Sequence, residues 1–267
     1  MLPETRLSVC RDVLTVIAMC WCITTVSPLA AADEAGKVVP LSAADQSEIT
    51  SLLGTGVVGQ ALPARPLLAP ESYMTDMQSD VIFQVRDDDG NVTTETHHFV
   101  KAPASESASG WQYSIIGKRR DIFEKAADGS LTTIREYDLD QKVVSHFSPG
   151  EPLILPGLKP GQSREVRIQV QVADIDDPTQ IDYNGNLDVT YTYLGRFRVT
   201  VPAGSYDADL IKWTYRGKIG PARIKTAQYR FIAEKGGMVA MIEWRNISAM
   251  LVYHDETRQG KQLTKAN

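Results

Sequence analysis

Past residue 22 the sequence contains no cysteine; the three that it has are Cys10, Cys20 and Cys22. Without cysteine, the part of the chain that follows residue 22 forms no disulfide, no thiolate metal site and no cysteine nucleophile. Lipid attachment requires a small residue before the cysteine, whereas Met19 and Trp21 precede Cys20 and Cys22, so we do not expect a lipoprotein. Stability must come from the core, and a chain of this length can bury roughly 70% of its unfolded surface.

The sequence also has no excess of positive charge and no apolar run long enough to cross a membrane. Its formal net charge is −5, and a mildly acidic chain has no electrostatic attraction for nucleic acid or anionic lipid. The apolar run at residues 13–26 is shorter than the about 20 residues that a membrane-spanning helix needs. We therefore expect no nucleic-acid partner and no membrane span in the mature protein.

The first 32 residues have the order of a secretory signal peptide. Arg6 and Arg11 precede the apolar run at residues 13–26, and a proline and three alanines follow it. A basic start, an apolar core and an Ala-x-Ala cut are the parts that export requires. A buried N-terminal helix is the alternative, but the run shows no amphipathic pattern. We predict that residues 1–32 are removed by cleavage near Ala32 and that the protein is periplasmic.

Residues 33–75 are predicted to form an N-terminal arm with one short helix. A sequence that resembles a capping box begins at Ser42 and predicts a helix that runs to about Leu53. Gly54 is well placed to end this helix. Glycines and prolines then recur at short intervals up to residue 69, which predicts an irregular chain there.

Residues 76–267 are predicted to form an antiparallel β domain. Strict alternation of apolar and polar residues, which marks strands with one buried face, occurs at residues 166–172, 187–193, 197–201 and 211–215. Turn signals that contain glycine occur at residues 88–91, 127–130, 159–161, 183–186, 202–205 and 234–237. About ten to twelve strands fit this spacing, and so many strands require strong curvature or closure. The predicted fold class is mainly β: a single curved antiparallel sheet, a half-barrel or open barrel, with a short N-terminal helix.

One glycine motif matches a cofactor-binding pattern but lacks the structural context that cofactor binding requires. Gly54 to Gly59 match the dinucleotide-binding pattern G-x-G-x-x-G. That pattern binds a pyrophosphate only when a strand precedes it and a helix follows it. Here a helix is predicted before it, and Pro63 and Pro66 prevent a helix after it. We therefore expect no cofactor.

The sequence carries no strong signature of a metal site. Residues 174–188 are acidic, but a calcium loop counted from Asp182 has its glycine at the fourth position and lacks the closing glutamate. Calcium binding by this segment stays open. His97 and His98 are adjacent and would face opposite sides of a strand, and His146 and His254 are isolated in sequence. We predict no metal site.

No catalytic motif occurs either. Neither G-x-S-x-G nor H-E-x-x-H is found in the sequence, and nothing pairs its carboxylates as acid and base. We therefore predict no catalytic residues and a protein that is not an enzyme, although scattered residues can assemble an active site on a β scaffold.

Aromatic residues are the candidates for ligand binding. Trp213 and Tyr215 share one face of a predicted strand, and Tyr229 and Phe231 share one face of another. Ordinary core packing is one interpretation, since aromatic residues dominate most cores. The other is that these four residues line an apolar cavity under a curved sheet, and we name them as predicted ligand-binding residues.

Residues 197–208, F-R-V-T-V-P-A-G-S-Y-D-A, resemble a signature of a family of exported bacterial proteins of unknown function, V-P-A-G-[ST]-[FY]-[DE]-A. As in that family, an alternating strand follows at residues 209–215, and a segment similar to F-x-x-x-x-G-x-V follows at residues 231–239. The loop at residues 157–161 is also similar, so the resemblance covers residues 157–245. It implies a half-barrel related to periplasmic lipoprotein carriers, and it implies no catalytic residues.

These observations predict a soluble periplasmic binding or carrier protein for an apolar or amphipathic ligand, such as a lipid or an apolar small molecule. One alternative is an envelope structural or assembly protein that binds a protein partner. Another is a hydrolase or isomerase with a scattered site. A carrier requires a cavity, and a partner-binding protein requires a filled core with an exposed apolar patch. An enzyme requires several carboxylates or histidines with shifted pKa values in one pocket.

Overall fold

The computed structural model describes residues 36–74, 80–249 and 253–266, which belong to one compact unit. The predicted signal peptide and its cleavage site lie outside the described residues. So does the predicted boundary between the arm and the β domain. Among the described residues, no helix has the length and apolar character needed to cross a membrane.

The described chain consists of one α-helix followed by thirteen β-strands, with a short 3-10 helix between the first two strands. The helix is α1 (Ala43–Leu53) and the 3-10 helix is Pro70–Ser72. The strands are β1 (Val58–Leu62), β2 (Val81–Asp87), β3 (Val92–Lys101), β4 (Trp111–Ile115), β5 (Arg119–Lys125), β6 (Leu131–Asp138), β7 (Val143–Ile154), β8 (Ser163–Asp174), β9 (Ile181–Val201), β10 (Gly204–Ile219), β11 (Ala222–Ala233), β12 (Gly237–Ala249) and β13 (Tyr253–Ala266).

Strands β2 to β13 form a closed antiparallel barrel of twelve strands. Each strand pairs with the next one in sequence, and β13 pairs with β2, where Lys261 lies opposite Val85. The prediction of a half-barrel or open barrel is therefore wrong. Local alternation reports strands and their faces, but the closing pair joins segments that are far apart in the sequence. No local pattern reveals such a contact.

Strand β1 is an addition to the ring and corrects a second prediction. β8 pairs only with the first part of β9, up to Thr192, and β1 pairs with the later part, where Ala61 lies opposite Phe197. Residues 58–62 therefore form a strand in the segment for which an irregular chain was expected. They do so because β9 is longer than β8 and leaves backbone groups that need partners.

One of the six predicted turns lies inside a strand. Residues 183–186 belong to β9, whereas the other five predicted turns connect consecutive strands. A Cβ atom on Gly185 would lie 2.2 Å from the Lys218 carbonyl oxygen, and one on Gly217 would lie 2.0 Å from that of Asn186. These glycines allow two strands to approach closely, which is the other role of glycine within a sheet.

Helix α1 forms as its sequence predicts. The Ser42 hydroxyl accepts a hydrogen bond from the Asp45 N–H at 3.1 Å and caps the first turn. Gly54 ends the helix with φ of 93°, and its N–H donates to the Thr50 carbonyl oxygen. The predicted cap at Ser42 and the terminating glycine are confirmed.

Alternation along the strands separates an inner from an outer face. On β8, Ile168 and Val170 are fully buried, whereas Arg167, Gln169 and Gln171 are exposed. A hydrogen bond that crosses the ring identifies the inner face. The Trp213 indole N–H on β10 donates to the carbonyl oxygen of Pro152 on β7 at 2.6 Å. β8 and β9 lie between these two strands in the sheet.

Helix α1 covers part of the outer face. A Cβ atom on Gly260 would meet the Leu52 carbonyl oxygen at 2.7 Å, while the neighbouring Lys261 side chain points inward. Ile49 and Leu52 of α1 share one apolar cluster with outer-face residues of the barrel, among them Leu210, Phe231, Ala240 and Ile242. The strands beneath α1 are therefore apolar on the outside.

Candidate functional site

A cavity of about 180 Å³ lies within the barrel. Residues of β2 to β7 and of β11 to β13 line it, together with Tyr73 and Met74 of the arm. An engineered protein cavity of about 150 Å³ binds benzene, so this space suits a single ring or a short alkyl chain. A full-length lipid tail requires more room.

One part of the lining is apolar and aromatic. It is formed by side chains that include Phe83, Phe99, Phe123, Leu131, Ile232 and Met241. The ring centroids of Phe99 and Phe123 lie 5.9 Å apart, and those of Tyr113 and Phe123 lie 6.2 Å apart. These inward positions follow from the period-two alternation of their strands, and they offer an apolar surface to a ligand.

Charged residues form a second part of the lining. We call six inward-facing residues the charged cluster. They are Arg119, Asp121, Glu136, Glu151, Arg230 and Glu243. Asp121, Arg119, Arg230 and Glu243 line the cavity directly, and Glu136 contacts Arg119. Glu151 belongs to the group because it lies opposite Thr133, which in turn lies opposite the inward-facing Phe123, and because Arg230 acts on the pKa of its carboxyl.

Within the charged cluster, Arg119 binds two carboxylates. Its Nε donates to Asp121 Oδ1 at 2.8 Å, and its Nη2 lies 2.8 Å from Glu136 Oε2. Burial acts to lower the pKa of Arg119, but the two carboxylates outweigh it and hold that pKa well above its usual value. The guanidinium therefore remains charged inside the barrel.

Arg230 is held by neutral groups. Its Nη2 donates to Gln228 Oε1 at 2.7 Å, and its guanidinium carbon lies 4.1 Å from the centroid of the Trp213 ring. Gln228 Nε2 donates in turn to Glu243 Oε1 at 2.8 Å, and Gln259 donates to the other oxygen at 2.9 Å. Within the described chain no carboxylate forms an ion pair with Arg230.

Beside the cluster, Glu95 is paired with two lysines: the buried Lys261, and Lys118, whose Nζ lies 3.0 Å from Glu95 Oε1. Lys261 Nζ lies 2.5 Å from Glu95 Oε2, and His97 Nε2 donates to the same oxygen at 3.1 Å. His97 Nδ1 then accepts from the Tyr113 hydroxyl at 2.6 Å. Burial lowers the pKa of His97. Burial alone would raise the pKa of Glu95, but His97 and Lys261 lower it well below its usual range.

Carboxylates outnumber guanidinium groups in the charged cluster, four to two. Burial, together with Asp121, Glu151 and Glu243, raises the pKa of Glu136 to about 7, although Arg119 acts in the opposite direction. Burial likewise raises the pKa of Glu151, which has no hydrogen bond or ion pair in the described part of the chain. The Glu136 side chain is 28% exposed on an inward face, so it borders space inside the barrel.

The four predicted ligand-binding residues lie on two faces. Directly paired residues share a face, and Trp213 pairs with Gln228 whereas the adjacent Lys212 pairs with Tyr229. Trp213 and Tyr215 therefore point inward, where the Trp213 ring supports Arg230. Tyr229 and Phe231 point outward beneath α1, and the Tyr229 hydroxyl donates to Asp45 at 2.8 Å. The two pairs do not line one cavity together, and a binding role for each remains a prediction.

The charged cluster escaped the sequence analysis for a physical reason. In β11 the apolar residues Tyr229 and Phe231 alternate with Gln228 and Arg230, and this pattern predicts that the apolar ones point inward. Helix α1 covers the outer face there, so the apolar residues point outward and the polar residues point inward. The regular spacing of Gln228 and Arg230 was the feature of the sequence that could have revealed an inward-facing polar site. Of the described residues, no three histidine, cysteine or carboxylate side chains are grouped so that they could hold a metal ion.

Comparisons with known proteins yield two weak structural likenesses. No protein-family model matches the chain, and no curated protein matches it. A crystal structure from Bacteroides fragilis, provisionally described as an exported protein with a YmcC-like fold, has a TM-score of 0.42 at 12% identity. One from Parabacteroides distasonis, provisionally described as a lipoprotein, has a TM-score of 0.39 at 9% identity. Each alignment covers 75% of this chain and 99% of the other.

These likenesses are too weak to support an argument about this chain. The family signature at residues 197–208 therefore remains a resemblance.

Proposed function

We propose that this protein is a binding or carrier protein that holds a small amphipathic molecule in the cavity of its barrel. The observation that carries this proposal is the lining, in which aromatic side chains such as Phe99 and Phe123 face the same space as Arg119, Asp121 and Glu243. A ligand with an apolar body and a polar group would satisfy both parts. Its apolar part would contribute about 0.8 kcal/mol for each buried CH₂ group.

The size of the cavity narrows the ligand class. About 180 Å³ favours one ring or a short chain over the long lipid tail that the sequence analysis allowed. The signal peptide predicted for residues 1–32 supports a role in the periplasm. The partner-binding alternative required a filled core, and the interior cavity does not favour it.

The first test is native mass spectrometry of the protein purified gently from its own periplasm, with small molecules in the denatured extract identified. We expect a stoichiometric small molecule with a polar group. Met241→Trp should fill the cavity and abolish its co-purification, and Ile232→Phe is the second variant if the first does not fold. Leu139→Trp, at an exposed position, is the control and should retain the ligand.

Two results would overturn the proposal. One is a wild-type protein that carries no small molecule and whose melting temperature no ring-sized or short-chain probe raises. The other is a folded Met241→Trp protein that binds as well as the wild type.

A second candidate function is acid–base catalysis on the bound molecule. Glu136 favours it, because a carboxyl group with a pKa of about 7 beside other carboxylates suits a general acid. Incubation of the protein with the extracted molecule distinguishes the two functions. A change in mass that Glu136→Gln abolishes would indicate an enzyme, whereas an unchanged molecule would indicate a carrier.

A further inference from the structure

The charge of the cavity lining allows the ligand class to be specified further, on the premise that the cavity binds a small amphipathic molecule. Two neighbouring groups of charges have partners of their own and stay outside the count. Glu95 is paired with Lys261 at 2.5 Å and with Lys118 at 3.0 Å, and the side chain of Lys118 is 53% exposed, so its excess charge lies largely in solvent. Arg245 is paired with Asp255 at 3.3 Å. The charged cluster itself has four carboxylates and two guanidinium groups.

The carboxylates differ in how they are satisfied. Asp121 and Glu136 share Arg119, each at 2.8 Å. Glu243 accepts hydrogen bonds from two neutral amides, Gln228 and Gln259. Glu151 has no hydrogen bond or ion pair among the described residues, although it faces the same interior. Uncompensated carboxylates in a poorly solvated space are destabilised unless they bind a proton or another cation.

The guanidinium groups do not offer an equivalent site for an anion. Arg119 is occupied by two carboxylates. Arg230 is stabilised by the Gln228 carbonyl oxygen and by the face of the Trp213 ring. A carboxylate ligand that approached Arg230 would also approach Glu151 and Glu243, which repel it.

We propose that the ligand is a small primary amine with an apolar body, and that its ammonium group binds at the charged cluster while its apolar body lies against Phe99, Phe123 and Leu131. The ammonium group supplies the positive charge that the four carboxylates lack. Its three N–H donors match carboxylate oxygens that have no cationic partner.

The test uses three probes with one ring and different polar groups: benzylamine, benzyl alcohol and benzoate. Affinities are measured by isothermal titration calorimetry on the intact mature protein at pH 8. We expect benzylamine to bind at least tenfold more tightly than benzyl alcohol, and benzoate to bind most weakly. The double variant Glu136→Gln/Glu151→Gln should lose at least tenfold in affinity for benzylamine and retain its affinity for benzyl alcohol.

The control variant is Glu165→Gln, an exposed carboxylate on the outer face of β8, which should change neither affinity. Proton release gives an independent readout. Benzylamine should displace protons from Glu136 and Glu151, which face Arg119 and Asp121 on β5, Tyr215 on β10, Arg230 on β11 and Glu243 on β12. Titrations in buffers of different ionisation enthalpy should then show proton release at pH 6.5 that is absent in the double variant.

The outcomes separate this inference from the proposed function. If benzyl alcohol or benzoate binds as tightly as benzylamine, and Met241→Trp abolishes that binding, the cavity is a binding site but the amine assignment is wrong. If none of the three probes binds the wild type, both proposals fail for ring-sized ligands. If the double variant binds benzylamine unchanged, the carboxylates do not recognise the ammonium group.

Discussion

Glu136 shows how strongly one side chain in this protein depends on its surroundings. An ordinary glutamate has a pKa of 4.5, whereas burial and three nearby carboxylates raise the pKa of Glu136 to about 7. The folded protein therefore binds a proton here over a pH range in which the unfolded chain has lost it. By linkage, the stabilisation from this proton is present below about pH 4.5 and is lost as the pH rises to about 7.

The first prediction concerns this residue. Between pH 5 and pH 8 the wild type should lose about 1 to 3 kcal/mol of unfolding free energy relative to Glu136→Gln, because glutamine cannot ionise. Urea unfolding at both pH values measures the difference. The lowered pKa of His97 makes stability rise with pH, but it is present in both proteins and cancels. Identical pH slopes would contradict the prediction.

The second prediction separates the inner from the outer aromatic residues. Tyr229→Phe removes the hydrogen bond to Asp45 and should destabilise the protein by about 1 kcal/mol. It should leave the affinity for benzyl alcohol unchanged, since Tyr229 faces α1. Trp213→Phe should weaken the binding of benzyl alcohol severalfold, because the Trp213 ring holds Arg230 in the lining of the cavity. Thermal unfolding and calorimetric titration test both, and a loss of affinity in Tyr229→Phe would show that the outer face takes part in binding.

Among the elements, the hairpin of β9 and β10 depends on one backbone conformation. Its turn reaches β10 through Gly204, whose φ is 138°. A residue with a side chain rarely adopts this conformation. A Cβ atom at Gly204 would lie no closer than 3.9 Å to its nearest neighbour, Tyr206 Cε2, so there is space for a side chain. Any effect of substitution therefore reports backbone strain.

The third prediction follows from this turn. Gly204→Val should destabilise the protein by about 1 kcal/mol or more, because valine is strained at positive φ. Ser205→Val, at the exposed next position of the same hairpin, is the matched control and should have a smaller effect. Chemical denaturation of the two variants provides the measurement. Equal stabilities would mean that the turn relaxes to accept valine.

At the scale of the whole molecule, closure of the barrel is the property with the clearest physical consequence. In a closed ring the backbone groups of β2 and β13 are hydrogen-bonded to each other, as in the pair of Leu263 and Phe83. In a half-barrel these two strands would be edges, and their amides would exchange with solvent quickly. The ring also surrounds the partly open cavity that the proposed function requires.

The fourth prediction tests closure directly. In hydrogen-exchange mass spectrometry, peptides that cover β2 and the later part of β13 should be as protected as peptides from β10 and β11. Residues 58–62 of β1 lie outside the ring and serve as the internal reference for an edge strand, so they should exchange faster. Rapid exchange in both β2 and β13 would indicate an open sheet.

By itself the sequence determined what depends on neighbours along the chain. The Ser42 cap, the helix stop at Gly54, five of the six turns and the alternation of β8 are local, because capping and period-two burial act over a few residues. Only the tertiary structure decided what depends on distant segments: the pairing of β13 with β2, and α1 lying over β11, which turns Tyr229 outward and Arg230 inward. The grouping of Arg119, Glu136, Glu151 and Glu243 is of the same kind, because these side chains come from four strands that meet only when the barrel closes.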